Sequence, residues 1–104
     1  MTKTVEINGK EYPVKFGYSA LSKFCDIAGL ALNELDKLGS EMTLSQAIAL
    51  VWCGLKDGAR YDKMKFNLAV EDVADLLDDD ADALNKVLEV FSDSFGDNTE
   101  TKGN

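Results

Sequence analysis

The 104-residue sequence contains no histidine, one proline, two cysteines and one tryptophan. Without histidine there is no proton shuttle with an ordinary pKa near neutrality, no Ser/His or Cys/His nucleophile pair, and no ligand for most zinc and iron sites. Cys25 and Cys53 both lie among apolar neighbours, and two free buried thiols fit a reducing cytosol better than a disulfide does. No stretch approaches the ~20 apolar residues that span a bilayer. The opening MTKTVEINGKEY holds no apolar signal segment. Basic residues are scarce too: eleven against nineteen acidic ones give a net charge of −8. That charge favours solubility and opposes contact with phosphate backbones, so neither nucleic acid nor membrane is an expected partner.

What is present reads as one domain over residues 1–95, with a 45% apolar share that suits a single core. In TVEINGKEYPVKF, Asn8-Gly9 supplies the two positive-φ positions of a tight two-residue turn. With that turn fixed, Ile7 faces Lys10, Val5 faces Tyr12 and Lys3 faces Val14. Opposed residues share a face, so Val5, Ile7, Tyr12, Val14 and Phe16 line one side and Thr4, Glu6, Glu11 and Lys15 the other. Pro13 falls opposite Thr4 at a non-hydrogen-bonded pair. Its missing N–H costs the hairpin nothing there but spoils that edge for a third strand. A two-stranded ribbon is marginal alone, so its apolar face must rest on helices.

Ser19 is placed to cap a helix running to Ala28, with Leu21, Phe24, Cys25 and Ala28 inward and Gly29 as its stop. LALNELDKL sets Leu32, Leu35 and Leu38 on one face and ends at Gly39. Thr43 and Gln46 form a capping box for a helix that stripes Leu44, Ile48, Val51 and Leu55, flanked by Ala47 and Trp52, and closes at Gly58. ARYDKMKFN has no clean period and reads as a connection. LAVEDVADLL is helical with Val70, Val73, Ala74 and Leu77 inward, and Leu84, Val87, Leu88, Phe91 and Phe95 continue at helical spacing. Residues 96–104, GDNTETKGN, hold no apolar side chain and read as a disordered tail. The expected fold class is α+β, mostly α: a two-stranded hairpin over 3–16 packed on about four to five short helices over 19–95.

Residues 78–89, DDDADALNKVLE, put acidic side chains at places one, three, five and twelve, the spacing of carboxylate ligands in a helix–loop–helix calcium site. The sixth place, which needs glycine, is Ala83, and the eighth is Asn85. Leu84, Val87, Leu88 and Phe91 also demand a helix already running by Leu84, so Asp80 or Asp82 reads as its cap and no metal is expected. Segment 71–82 carries seven acidic residues and no basic one. It is either a solvated face or a docking patch that includes Glu71, Asp72, Asp75, Asp78 and Asp79. Lys56, Arg60, Lys63 and Lys65 give a smaller excess of the opposite sign, and opposed patches could join copies head to tail in a homo-oligomer. Tyr61, Met64 and Phe66 are either core cover or a partner-binding surface. The polar side chains form no recognisable active-site constellation and imply no cofactor, so a binding protein is expected rather than an enzyme. The alternative is an acidic decoy that imitates DNA, although clustering within 71–82 departs from phosphate-like spacing.

The ordered segments VEINGKEYPVKFGYSAL, KFCDIAGLALNEL, ALVWCGLKDGAR and FNLAVEDVADLLDDD resemble tail assembly chaperones of long-tailed bacteriophages and prophages, across residues 5 to 95. The resemblance implies a small α-rich protein of the host cytoplasm that binds the tape measure protein, and tail tube subunits, before the tube forms. It also implies absence from the finished particle. No catalytic residue and no cofactor carry over, because the family has none.

Overall fold

The computed structural model describes residues 2–37 and 42–103, with backbone alone for residues 32, 36, 37 and 95–103. The chain runs β1 (Lys3–Ile7), β2 (Lys10–Val14), α1 (Tyr18–Ala28), a 3₁₀ helix (Leu32–Lys37), α2 (Leu44–Tyr61), α3 (Val70–Asp79) and α4 (Ala81–Gly103). This is the α+β, mostly α architecture that the patterning predicts. The expected positions Leu38 and Gly39 lie outside the described residues. No helix among the described residues is long and apolar enough to cross a membrane.

The hairpin forms in the expected register, with Lys3 opposite Val14, Thr4 opposite Pro13, Val5 opposite Tyr12 and Ile7 opposite Lys10. Asn8 at φ 54° and Gly9 at φ 84° make its turn, because asparagine and glycine tolerate left-handed backbone better than other residues. Val5, Ile7, Val14 and Phe16 are buried, Tyr12 is half-buried, and Thr4, Glu6 and Glu11 face out. A helix lies against each strand of this ribbon. β2 packs on α2 and β1 on α4. Along β1, Lys86 Nζ donates to the Glu6 carbonyl at 3.4 Å. At the turn, Asn8 N–H donates to Asp80 Oδ2 at 2.9 Å and Asn8 Nδ2 to Asp79 Oδ2 at 3.5 Å.

α2 is the central element, packed against α1, β2, α3 and α4. Its capping box is present: Gln46 N–H donates to Thr43 Oγ1 at 3.1 Å, and Thr43 N–H to Gln46 Oε1 at 2.9 Å. Burial along it differs from the expected stripe. Val51 and Leu55 are buried, but so are Leu50, Cys53, Gly54 and Gly58, whereas Leu44 is 69% exposed. The buried arc is rotated towards the two glycines because the ribbon sits there. Lys15 N–H donates to the Gly54 carbonyl at 3.1 Å. A side chain at Gly58 would overlap the Pro13 carbonyl and the Val14 nitrogen. Gly58 therefore continues the helix, and the expected stop there is corrected: the residue is small to seat a strand.

α1 begins earlier than Ser19 predicts. Gly17 is its N-cap and accepts from Leu21 N–H at 3.0 Å, with no side-chain cap, while Ser19 lies exposed in the first turn. Gly29, at φ 70°, ends it as expected. In the last two helices Val73, Ala83, Val87 and Phe91 are buried, and Leu84 and Leu88 pack half-buried against the same core. Phe91 meets Phe16 edge-on at 5.3 Å, tying the end of the ribbon to α4. The Asp80 side chain is not the expected cap, since it is turned to Asn8 while its carbonyl accepts from Ala83 N–H at 3.0 Å. The backbone of α4 stays helical through Gly103, beyond the stop expected near Phe95 and through the segment read as a disordered tail. Propagation of a helix adds a hydrogen bond per residue fixed, and no proline interrupts residues 96–104.

Candidate functional site

α2 closes without a glycine. Lys63 N–H donates to the Arg60 carbonyl at 3.1 Å and Met64 N–H to the Ala59 carbonyl at 2.8 Å. These paired bonds satisfy the last carbonyls of a helix when the residue beyond it turns left-handed. That residue is Lys63, at φ 61°, where a side chain crowds its own backbone at a cost of roughly 1 kcal/mol. The turn brings Met64 beside Ala59 and launches the extended connection 64–69.

Three interactions fix that connection. Trp52 Nε1 donates to the Leu68 carbonyl at 2.8 Å. Phe66 stands edge-on to the Trp52 ring at 6.2 Å, a favoured aromatic geometry. Ala69 N–H donates to Asp72 Oδ2 at 2.8 Å, which starts α3. Between the connection and β2 lies a groove of about 280 Å³. Tyr12 and Pro13 form one wall, Met64, Phe66 and Leu68 the other, and Leu55 and Ala59 of α2 lie beneath. Lys10, Glu11, Lys65 and Asn67 are its exposed polar residues. Met64 is 52% exposed, so a large flexible apolar side chain is left at the surface.

The groove favours side-chain docking over strand addition. On the outer edge of β2 only Glu11 offers both backbone groups, since Pro13 has no N–H and its carbonyl meets Gly58, while the Lys15 N–H is taken by Gly54. The outer edge of β2 is therefore mostly covered.

Of the candidate partner-binding residues, Met64 and Phe66 come together in the groove. Tyr61 does not line it. Its ring, 52% exposed, lies 5.3 Å from Lys15 Nζ instead. Glu71, Asp72, Asp75, Asp78 and Asp79 all lie exposed on α3, but they divide. Asp72 caps its own helix and Asp79 accepts from Asn8. Glu71, Asp75 and Asp78, spaced as one helical face, form no hydrogen bond or ion pair among the described residues. Among the described residues no group of three or more acidic or thiol side chains is placed to hold a metal ion. Trp52, which flanks the apolar stripe of α2, is half-buried against the core and holds the wall residues Phe66 and Leu68 from behind. Tyr12, Pro13, Leu55 and Ala59 join the groove through tertiary placement alone and carry no separate sequence signal.

Neither thiol is activated. Burial pushes Cys53 up to about 11, with Lys23 and Lys56 partly opposing the rise. Burial, then Asp26 and Glu34, also raise Cys25. A thiol held protonated is a poor nucleophile. No protein-family model matches the chain, and no curated protein or solved structure matches it.

Proposed function

We propose that the chain is a non-enzymatic tail assembly chaperone of a long-tailed bacteriophage or prophage. It binds the tape measure protein, and tail tube subunits, in the bacterial cytoplasm before tail tube polymerisation, and leaves before the particle is complete. Two features support this reading: the ordered resemblance over residues 5–95 and, carrying it physically, the groove with exposed Met64. A tape measure is a long helix-prone chain that must stay soluble until the tube forms around it. An amphipathic helix can lay apolar anchors into such a groove, and methionine adapts its shape to differing anchors along a long target. The net charge of −8 keeps the resulting complex dispersed.

Co-expression with the tape measure protein of the same phage or prophage tests the reading. The expected result is a soluble tape measure that co-purifies with this chain. A tape measure equally soluble alone, with no complex formed, rejects it. The unpaired face of Glu71, Asp75 and Asp78 favours a second reading, an acidic decoy that blocks a nucleic-acid-binding protein. That reading predicts capture of host DNA-binding proteins with steep loss at high salt.

A further inference from the structure

Basic residues are few in this chain, yet four of the eleven gather around one buried carboxylate. Lys23 of α1 and Lys56 and Arg60 of α2 line a notch of about 70 Å³, together with Ser19, Cys53 and Asp57. Asp57 is 3% exposed. Its Oδ1 accepts from Arg60 Nη2 at 2.7 Å, and its Oδ2, which has no hydrogen-bond partner, lies 3.9 Å from Lys15 Nζ. Asp57 thereby fixes one part of the Arg60 guanidinium and leaves its remaining donors on a side chain 61% exposed. Lys23 and Lys56 form no ion pair among the described residues. Lys56 Nζ is positioned 5.0 Å from the Trp52 ring centre. Both ammoniums act electrostatically on the Cys53 sulfur, which places their fields at the notch wall. Three lining cations against one carboxylate, with Lys15 nearby, make this spot locally positive on a chain of net charge −8.

We infer that this notch binds a carboxylate side chain of an acidic partner peptide, through Arg60, Lys23 and Lys56. The chemistry selects that ligand in three ways. The volume admits one small anionic group. The buried Asp57 penalises a second negative charge beside it, which disfavours a dianionic phosphate. A nucleic acid would need a stripe of cations to follow its backbone, and here they converge on one notch while the rest of the chain repels it. Arg60 offers free N–H donors that suit a carboxylate, and the two ammoniums add charge-assisted bonds. The notch and the Met64 groove are lined by different residues, so the inference stands apart from the tail-assembly reading.

The test titrates the full chain with a blocked peptide rich in glutamate and with its glutamine counterpart, following backbone amide shifts. The glutamate peptide is expected to give saturable shifts at Ser19, Lys23, Cys53 and Lys56, and the glutamine peptide none. Binding should weaken roughly tenfold in Lys56→Glu and in Lys23→Glu, the loss expected from about one charge-assisted bond. Both substitutions fall on exposed side chains, and an unchanged melting curve verifies that the fold persists. Equal shifts with both peptides, no saturable shift, or undiminished binding by both variants would overturn the assignment. So would an oligonucleotide that shifts the same amides at lower concentration than the peptide does.

Discussion

Gly58→Ala puts two opposed effects in direct competition. In a helix considered alone, replacing interior glycine by alanine stabilises by about 1 kcal/mol. Here the added methyl would fall on the Pro13 carbonyl and the Val14 nitrogen. Overpacking typically costs 1–3 kcal/mol, and these obstacles are backbone of a strand held by its pairing with β1 on one side and by the Lys15–Gly54 bond on the other. The strand cannot step aside cheaply, so the cost sits near the upper end, about 3 kcal/mol. The net expectation is destabilisation by about 2 kcal/mol, a fall in Tm of roughly 8–16 °C for a domain of this size. Gly54→Ala is the comparison. Its methyl would meet Phe16 Cζ at 2.5 Å, the tip of a buried ring packed on Phe91 rather than strand backbone, so the packing loss should be smaller than at Gly58 and partly offset by the helix gain. Thermal and urea unfolding followed by circular dichroism measures both. A Gly58→Ala protein that melts at or above the parent temperature would refute the seating of β2 on α2.

Lys63→Gly should stabilise by about 1 kcal/mol, since glycine removes the left-handed penalty that closes α2; an unchanged or lower urea midpoint contradicts this. Asp80→Ala removes the acceptor of the 2.9 Å bond from Asn8 and should cost about 1 kcal/mol. Asp79→Ala, at 3.5 Å, should stay within about 0.5 kcal/mol, and the reverse order of losses would show that the turn is not held by Asp80. Because burial raises Cys53 from 9.0 to about 11, the folded chain keeps a proton that the unfolded chain releases. Its contribution is therefore intact below pH 9 and is lost as pH rises towards about 11. Unfolding midpoints across that window should fall less steeply in Cys53→Ala than in the parent, and equal slopes would contradict it.

The hairpin was legible because turn chemistry and side-chain alternation specify the same register, and neither depends on distant residues. Leu84, Val87, Leu88 and Phe91 were legible for a related reason, since their helical spacing outweighs the metal-like spacing of the aspartates ahead of them. α2 starts at its expected capping box but departs from its pattern at the stop and in the face it buries. Glycine serves as a helix stop or as a seat for a packed strand, and only the position of Pro13 and Val14 decides which role Gly58 has. The true stop at Lys63 lacks the residue that usually marks it. Leu44 has the apolar character of a core position, but the ribbon claims a different face of the helix. At the site, Met64 and Phe66 stood out as large apolar side chains in an aperiodic segment. Their partners Tyr12 and Pro13 lie some fifty residues away in sequence, so the groove itself had no local signature. The acidic patch divided for the same reason: Asp79 and Asp80 are committed to Asn8, across a separation no local pattern encodes.

The proposed tail-assembly role requires Met64 and its groove to take the tape measure, and a paired substitution tests it most directly. Met64→Glu should weaken binding to the tape measure protein by roughly 30-fold or more, the loss of one interface hot spot. Leu44→Glu, at an apolar side chain that is 69% exposed and outside the groove, should leave the affinity unchanged. Equal binding by the parent and Met64→Glu, measured by calorimetry with melting curves of the two superimposed, would contradict the account.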